Sequence, residues 1–416
     1  MTVDISSLTQ RANAGDSTVQ LELAGRYATG TGVPVDRGRA AQLYKMAAER
    51  GMVQAQSHLG QMYISGIGVP RDHAEAVKWL RKAAEQNNRA AQANLAWCYQ
   101  EGRGTEKDIA KAVEWYEKAA AQGHAGASYN LGYLLANGIG IPKDETRAMH
   151  WYTQAAEQGH KKAQHNLGIM YEQEGGTAPD YASALRWYTA AATQGYVRSQ
   201  FNLARMYTEG MGVVKDNHEA YKWFKQAAEA GYYRAQYNLG LFYLYGLGEE
   251  KNFPKAYSLF KAAAGQDYAK AYYQLGKMYA RGQGVETNEI ESAKYFQLAA
   301  NRGDGKAQYK LGRLFLDGHG VRKNSSVACQ WLEKSARQGH SRAQYDLGIC
   351  YAKGRGVSPD LQKAYAWLTL AARPDDRKIA KVLKIIAQNL DDAGTAAASQ
   401  LAEEWRAGIR VTPEHN

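Results

Sequence analysis

The chain has 416 residues, 45% of them hydrophobic and 22% charged, and no stretch is long and apolar enough to span a membrane. A single globular core rarely grows beyond about 250–300 residues, so the chain is either several domains or a repeat array. The net charge of +11 suits an acidic partner, nucleic acid or anionic lipid without choosing among them.

The first residues, Met1-Thr2-Val3-Asp4-Ile5-Ser6-Ser7, have neither a charged n-region nor an apolar h-region, which predicts the cytoplasm. From there a Leu-Gly or Leu-Ala pair recurs at Leu23, Leu59, Leu95, Leu131, Leu167, Leu203, Leu239, Leu275, Leu311 and Leu347, always one 36-residue step apart. An aromatic follows four residues later in nine of the ten units, Leu135 being the exception. Leu, Gly and Tyr at i, i+1 and i+4 share one helical face. Then comes Gly-x-Gly, as in Gly66-Ile67-Gly68, whose glycines end the helix through φ > 0. Asp follows as the N-cap of a second helix, and Asp72 with Glu75 has capping-box spacing.

That second helix carries Ala, Trp and Ala-Ala at fixed steps, as in Ala76, Trp79, Ala83 and Ala84. The small residues let helices approach, and the tryptophan is expected to fill the groove between hairpins. If the ring is buried, Trp115→Ala or Trp187→Ala costs about 3–5 kcal/mol. Each unit closes on Gln-Gly-His or a close variant, giving helix A, loop, helix B and turn. One hairpin cannot bury its apolar face alone, so stacking neighbours makes a continuous core.

Two loops depart from the pattern: Glu174-Gly175-Gly176-Thr177-Ala178-Pro179-Asp180 and Gly248-Glu249-Glu250-Lys251-Asn252-Phe253-Pro254. At the ends, Ala12 and Gly15-Asp16 match the end of a helix B, so residues 1–18 read as a capping half-repeat around a helix at about 3–14. After Arg373-Pro374 the register stops. Ile379, Val382, Leu383, Ile386 and Leu390 form one apolar face, Asp391-Asp392-Ala393-Gly394 reads as a turn, and Thr395 to Ala407 as a final helix. The chain thus divides into a cap (1–18), ten repeats (19–372), capping helices (373–409) and a frayed tail (410–416).

Cys98, Cys329 and Cys350 are too few and irregularly placed for a disulfide framework or a cysteine metal site, and read as buried small hydrophobes. Gly-x-Gly lacks the preceding strand and glycine spacing of a phosphate loop. His124, His160 and His340 share one turn position of different units, which makes them part of the repeat and not a metal cluster. No catalytic, metal or cofactor site is expected.

The pattern Ala-Gln-x-Asn-Leu-Gly-x-x-Tyr, Gly-x-Gly-Val, Asp, Ala-x-x-Trp-Tyr and Lys-Ala-Ala-x-Gln-Gly-His, ten times between Val19 and Ala372, resembles the Sel-1-like repeat. The resemblance implies an all-α fold: a right-handed, tetratricopeptide-like superhelix of ten hairpins with a concave face lined by helix A. Members act as adaptors and scaffolds, and some bacterial ones are similar to regulators or to immunity proteins that neutralise toxins. A disulfide-stapled branch carries paired cysteines in each unit. This chain does not, so the penicillin-binding activity suggested for that branch is not carried over.

The resemblance also names groove positions by register. Five residues before each leucine stand Lys162, Arg198, Arg234, Lys270, Lys306 and Arg342, where the first four units have Thr18, Gln54, Ala90 and Gly126. These cations lie in the first turn of helix A, where the helix dipole disfavours them by about 0.3–1 kcal/mol each. Either they are a solvated face or they form an electrostatic track for an acidic segment. Two residues before the leucine stand Tyr129, His165, Phe201, Tyr237, Tyr273, Tyr309 and Tyr345, which suit either a binding surface or packing on the next repeat. Asn94, Asn130, Asn166, Asn202 and Asn238 recur one residue before it, and Arg205, Lys277 and Arg313 add charge two residues after. The expected function is a non-enzymatic scaffold holding an acidic peptide or a folded domain. An immunity role is a variant of it, and nucleic-acid binding the alternative from another class.

Overall fold

A computed structural model describes residues 5–173, 178–373 and 376–408. Of the features singled out above, Met1 to Asp4, Glu174 to Thr177, Pro374, Ile409 at the end of the capping helices and the tail Arg410 to Asn416 lie outside the described residues. Among the described residues there are 23 α-helices and no strand. They begin with α1 (Ile5–Asn13), α2 (Ser17–Thr29), α3 (Arg37–Glu49), α4 (Val53–Ser65), α5 (His73–Glu85), α6 (Arg89–Glu101), α7 (Ile109–Ala121) and α8 (Ala125–Asn137). Next come α9 (Glu145–Glu157), α10 (Lys161–Glu172), α11 (Tyr181–Thr193), α12 (Val197–Glu209), α13 (Asn217–Glu229), α14 (Tyr233–Tyr245), α15 (Phe253–Ala264) and α16 (Ala269–Arg281). The last are α17 (Glu289–Asn301), α18 (Gly305–Asp317), α19 (Ser325–Ala336), α20 (Ser341–Lys353), α21 (Leu361–Ala371), α22 (Arg377–Ala387) and α23 (Asp392–Gly408). From α2 to α21 the even helices are helix A and the odd ones helix B of ten hairpins.

The chain divides into two compact units, Met1–Leu203 with Met211–Val213, and Ala204–Gly210 with Val214–Asn416. Within the repeats of each unit helix A packs on its own helix B and helix B on the next helix A, and at the C-terminal end α22 and α23 both pack on α21.

Local sequence sets the ends of each hairpin. Asp108 accepts from the Lys111 amide at 2.9 Å and so caps α7; Asn252 does the same for α15 through Lys255, despite its altered loop. At Asp72 only half of the expected capping box forms. Its Oδ1 accepts from the Glu75 amide at 3.0 Å, but the Glu75 carboxylate takes the indole N–H of Trp79 at 3.1 Å and pairs with Lys78. The first loop glycine, such as Gly102 at φ 65°, ends helix A in the left-handed region. The second, Gly104, brings the loop against the first turn of the preceding helix B, where a Cβ would collide with the His73 carbonyl. At the C-terminus, α23 starts at Asp392 and not at Thr395. Asp391 caps it by accepting from the Gly394 amide at 2.6 Å, so the expected turn is the helix's own first turn.

The core bears out the expected role of tryptophan at Trp79 and Trp367, which are 5% and 1% exposed, and corrects it in the middle of the array. Trp115 and Trp187 are only half-buried, and cations lie over their faces: Lys118 at 4.2 Å and Arg186 at 5.0 Å from the ring centroids. The fully buried plug is the next residue: Tyr116, Tyr152, Tyr188 and Phe260 are at most 2% exposed. It seats on the glycine of the Leu-Gly pair. A Cβ on Gly168 would lie 2.5 Å from the Tyr188 ring, and one on Gly240 2.7 Å from Phe260. One residue of helix turns the side chain by about 100°, enough to exchange the centre of the interface for its edge.

A second repeating element is a buried glutamine three residues before the leucine. Gln92 Nε2 donates to the Ala84 carbonyl at 3.1 Å, and Gln164 Nε2 to that of Ala156 at 3.0 Å. The turn glutamine thirty residues on then donates to its Oε1: Gln122 to Gln92 at 2.7 Å and Gln194 to Gln164 at 2.8 Å. Successive repeats are therefore latched by polar side chains as well as packed. Replacing Gln164 by Met keeps the length but removes both bonds, and is expected to cost about 1–2 kcal/mol; an unchanged urea midpoint would show that the latch adds nothing.

Candidate binding face

The cations at the start of helix A are all exposed: Lys162 and Arg198 in the first unit; Arg234, Lys270, Lys306 and Arg342 in the second. Side-chain caps stand beside Lys162, Lys306 and Arg342, whereas Tyr232 and Tyr268, before Arg234 and Lys270, make no side-chain cap bond. His160 Nδ1 accepts from the Ala163 amide at 3.3 Å and His340 Nδ1 from that of Ala343 at 3.2 Å. The histidine turn position is thus an N-cap. Burial, with the Lys162 charge nearby, lowers the His160 pKa and favours the neutral ring that such an acceptor requires. Among the described residues no three His, Cys, Asp or Glu side chains gather where a metal ion could sit. The three cysteines are buried free thiols.

The aromatic ladder is half-buried and faces the next repeat. Tyr129 stacks on His160 at 4.6 Å, Tyr309 on His340 at 4.7 Å, and Tyr237 meets Tyr268 edge-on at 5.3 Å. The same rings touch the core plugs, Tyr129 on Tyr152, Tyr237 on Phe260 and Tyr273 on Phe296, with centroids 5.6–5.9 Å apart. Burial pushes the Tyr237 hydroxyl up to about 12. Phe201 and Tyr345 are also half-buried. His165 takes this position in α10 and is 5% exposed, its Nδ1 2.9 Å from Ser199 Oγ.

The asparagines are half-buried too. Asn94 donates to Gln61 on the previous helix A at 2.8 Å, Asn130 to the Tyr116 hydroxyl at 3.1 Å, and Asn238 to the Arg234 carbonyl of its own helix at 2.8 Å. Asn166 bonds Tyr152, and Asn202 is half-buried in α12. Of the further cations, Arg205 faces Glu209 at 3.8 Å, and Arg313 binds both Asp346 and Asp317 at 3.2 Å. Asp346 lies 33 residues from Arg313, and its partnership has no sequence signal.

Lys277 differs. It is half-buried, and its pKa is lowered first by burial and then by the charges of Arg281, Lys310 and Lys306. Lys310 is lowered by burial and by Arg281, Arg342 and Arg313. The second unit thus gathers like charges of α16, α18 and α20 within electrostatic reach of one another, including Arg281 and Lys310, which the register reading omitted. Lys310 stands where earlier units carry the recurring asparagine and was visible as a break in that column, whereas Arg281, one turn beyond Lys277, stands in a column with no prevailing residue. Lys162 and Arg198 belong to the first unit and stand apart from this description.

Tandem hairpins latched by repeating polar and aromatic side chains define an α-helical repeat protein of the solenoid class. The Sel1 repeat family model matches residues 18–52, 53–88, 89–124, 125–160, 161–196, 197–232, 234–268, 269–304, 305–340 and 341–373. Among solved structures, a protective antigen present in uropathogenic Escherichia coli strains and displaying an SLR fold is 32% identical, over 98% of this chain and 95% of its own, with a TM-score of 0.69. A Sel1 repeat protein from Oxalobacter formigenes is 33% identical, over 74% of this chain and 90% of its own, with a TM-score of 0.56. The immunity protein Pa5087 from Pseudomonas aeruginosa is 24% identical over 59% of this chain and 80% of its own, with a TM-score of 0.32, a likeness that carries no functional argument. A comparison with curated proteins gave no match. The chain belongs to the Sel1 repeat family. Sel1 repeat proteins generally mediate protein–protein interactions and are generally non-enzymatic. No helix among the described residues is long and apolar enough to cross a membrane.

Proposed function

We propose that this protein is a non-enzymatic scaffold that holds an acidic segment of a partner protein on its helix-A face. The observation that carries the reading is the cluster of like charges on α16, α18 and α20. Lys277 is half-buried beside the charges of Arg281, Lys310 and Lys306, and Lys306 and Arg342 stand in the first turns of α18 and α20, an arrangement opposed by self-repulsion and, at those two, by the helix dipole. A solubilising face needs no such crowding, whereas an anionic ligand would relieve it.

The aromatic ladder supports the reading indirectly, by setting the spacing of the repeats that present the cations. Nucleic acid is disfavoured by the same ladder, because rings that would stack on bases already pack against rings of the next repeat. The test is capture of a partner from an extract of the source organism, with the intact protein beside a variant carrying Lys270→Glu, Lys306→Glu, Lys310→Glu and Arg342→Glu. One protein held by the intact form and weakened at least about tenfold in the variant is the expected result. Equal capture by both forms moves the site elsewhere, and recovery of nucleic acid alone overturns the reading.

A further inference from the structure

At the end of the cation cluster the second unit has a cavity of about 500 Å³ between α20, α21 and α22. Its wall is mainly aliphatic: Ile349, Leu361, Val382, Ile385 and Ile386, closed at one side by Tyr345 and Asp346. Ile385 is 51% exposed, a large apolar side chain left facing water at the mouth of a concave site. A volume in this range accommodates one or two large side chains.

Charge surrounds the cavity on two sides. Arg342 lies one helical turn before Asp346 on α20, and Asp346 is itself neutralised by Arg313 at 3.2 Å. On α22, exposed Lys378 and Lys381 lie one turn before Val382 and Ile385, on the same helical face. Asp346 therefore joins the cavity to the cations of α18, and the two lysines flank it from the other side.

We propose that the cavity is a socket for an aliphatic or aromatic side chain of an acidic protein segment, whose carboxylates are held by Arg342 and Lys310 on one side and by Lys378 and Lys381 on the other. This rests on the reading of the cationic face as a protein-binding surface and names the partner's chemistry: a short peptide with an apolar anchor between acidic residues. Such a motif uses both features of the site, burial for affinity and charge for orientation. A nucleic acid fits less well, since the wall offers methyl groups in place of exposed ring faces and a carboxylate stands at the rim.

The test pans a phage library of random dodecapeptides over the intact chain. Enriched peptides are expected to carry one large apolar residue flanked by Asp or Glu. A labelled consensus peptide should lose at least about tenfold in affinity for Ile385→Glu and for Arg342→Glu, and as much when its apolar residue becomes Ser. Both substitutions are at exposed positions, and circular dichroism checks that the helices persist. Enrichment of purely acidic peptides that bind Ile385→Glu normally would remove the socket and leave the cationic face standing. Neutral apolar peptides insensitive to Arg342→Glu would remove the charged flanks and weaken the wider reading too. No enrichment removes the socket, with the capture experiment still deciding the cationic face. A single-stranded DNA oligomer that binds more tightly than the consensus peptide, with steep salt dependence, would overturn the proposal in favour of nucleic acid.

Discussion

Tyr188→Ala is expected to destabilise the first unit by about 3–5 kcal/mol, well beyond the effect of removing the larger Trp187 beside it. Tyr188 is fully buried against Gly168, while Trp187 stands half-exposed with Arg186 over its ring. Truncating the plug opens a cavity that a glycine cannot fill, because it has no side chain to move into the space. Trp187→Ala removes an edge contact and is expected to cost about 1–2 kcal/mol. Tyr188→Phe separates packing from bonding: it keeps the ring and removes the hydroxyl with its bond to Glu172 at 2.9 Å, for about 1 kcal/mol. Phe260 and Phe296 occupy the same position in other repeats, which shows that the ring alone serves there. Urea midpoints of the three variants give the order; a Trp187→Ala loss equal to that of Tyr188→Ala would return the tryptophan to the centre of the interface.

The period and the hairpin were legible in the sequence because each column meets one environment ten times. Leu23 to Leu347 are core residues throughout, and the Asp and Asn column before helix B caps it wherever described. Choosing between Trp187 and Tyr188 was not possible from periodicity, since both fall within the apolar arc of α11. The decision is made by Gly168 across the interface. The glutamine column was hidden for another reason. A polar residue is expected outside, yet Gln92 and Gln164 are buried because the C-terminal end of the preceding helix offers a carbonyl eight residues back. The cation column was read correctly as periodic. Its pairing was not, because Arg313 finds Asp346 on the next helix A while Lys277 lies over the Tyr273 ring among other cations. The socket escaped notice because Ile385 lies just beside the apolar stripe of α22 and its neighbours come from two other helices.

Acidification is expected to weaken the first unit through His165. Burial, with a smaller contribution from the Arg198 charge, lowers its pKa from 6.5 to about 4. Around the ring stand Tyr188 and Tyr196, with Ser199 Oγ on Nδ1, and no carboxylate among these contacts stabilises an imidazolium. As pH falls below 6.5 the unfolded chain takes up a proton here and the folded chain does not, until about 4. The contribution is therefore complete above pH 6.5 and is lost progressively on the way down, by about 3 kcal/mol in all. Burial lowers His58, His124 and His160 in the same sense, whereas Asp304, raised by burial, acts in the opposite one. The measurement is thus a difference between proteins. His165 and Ser199 stand together where other repeats carry an aromatic and an alanine, as at Tyr129 and Ala163 or Tyr309 and Ala343. The double variant His165→Phe with Ser199→Ala restores that ordinary pair and leaves no hydroxyl without its partner. Between about pH 7 and pH 4 the intact protein should lose about 3 kcal/mol more than the double variant. Parallel pH profiles of the two proteins would mean that the buried imidazole accepts its proton in place, and that this pair adds no acid sensitivity to the repeat.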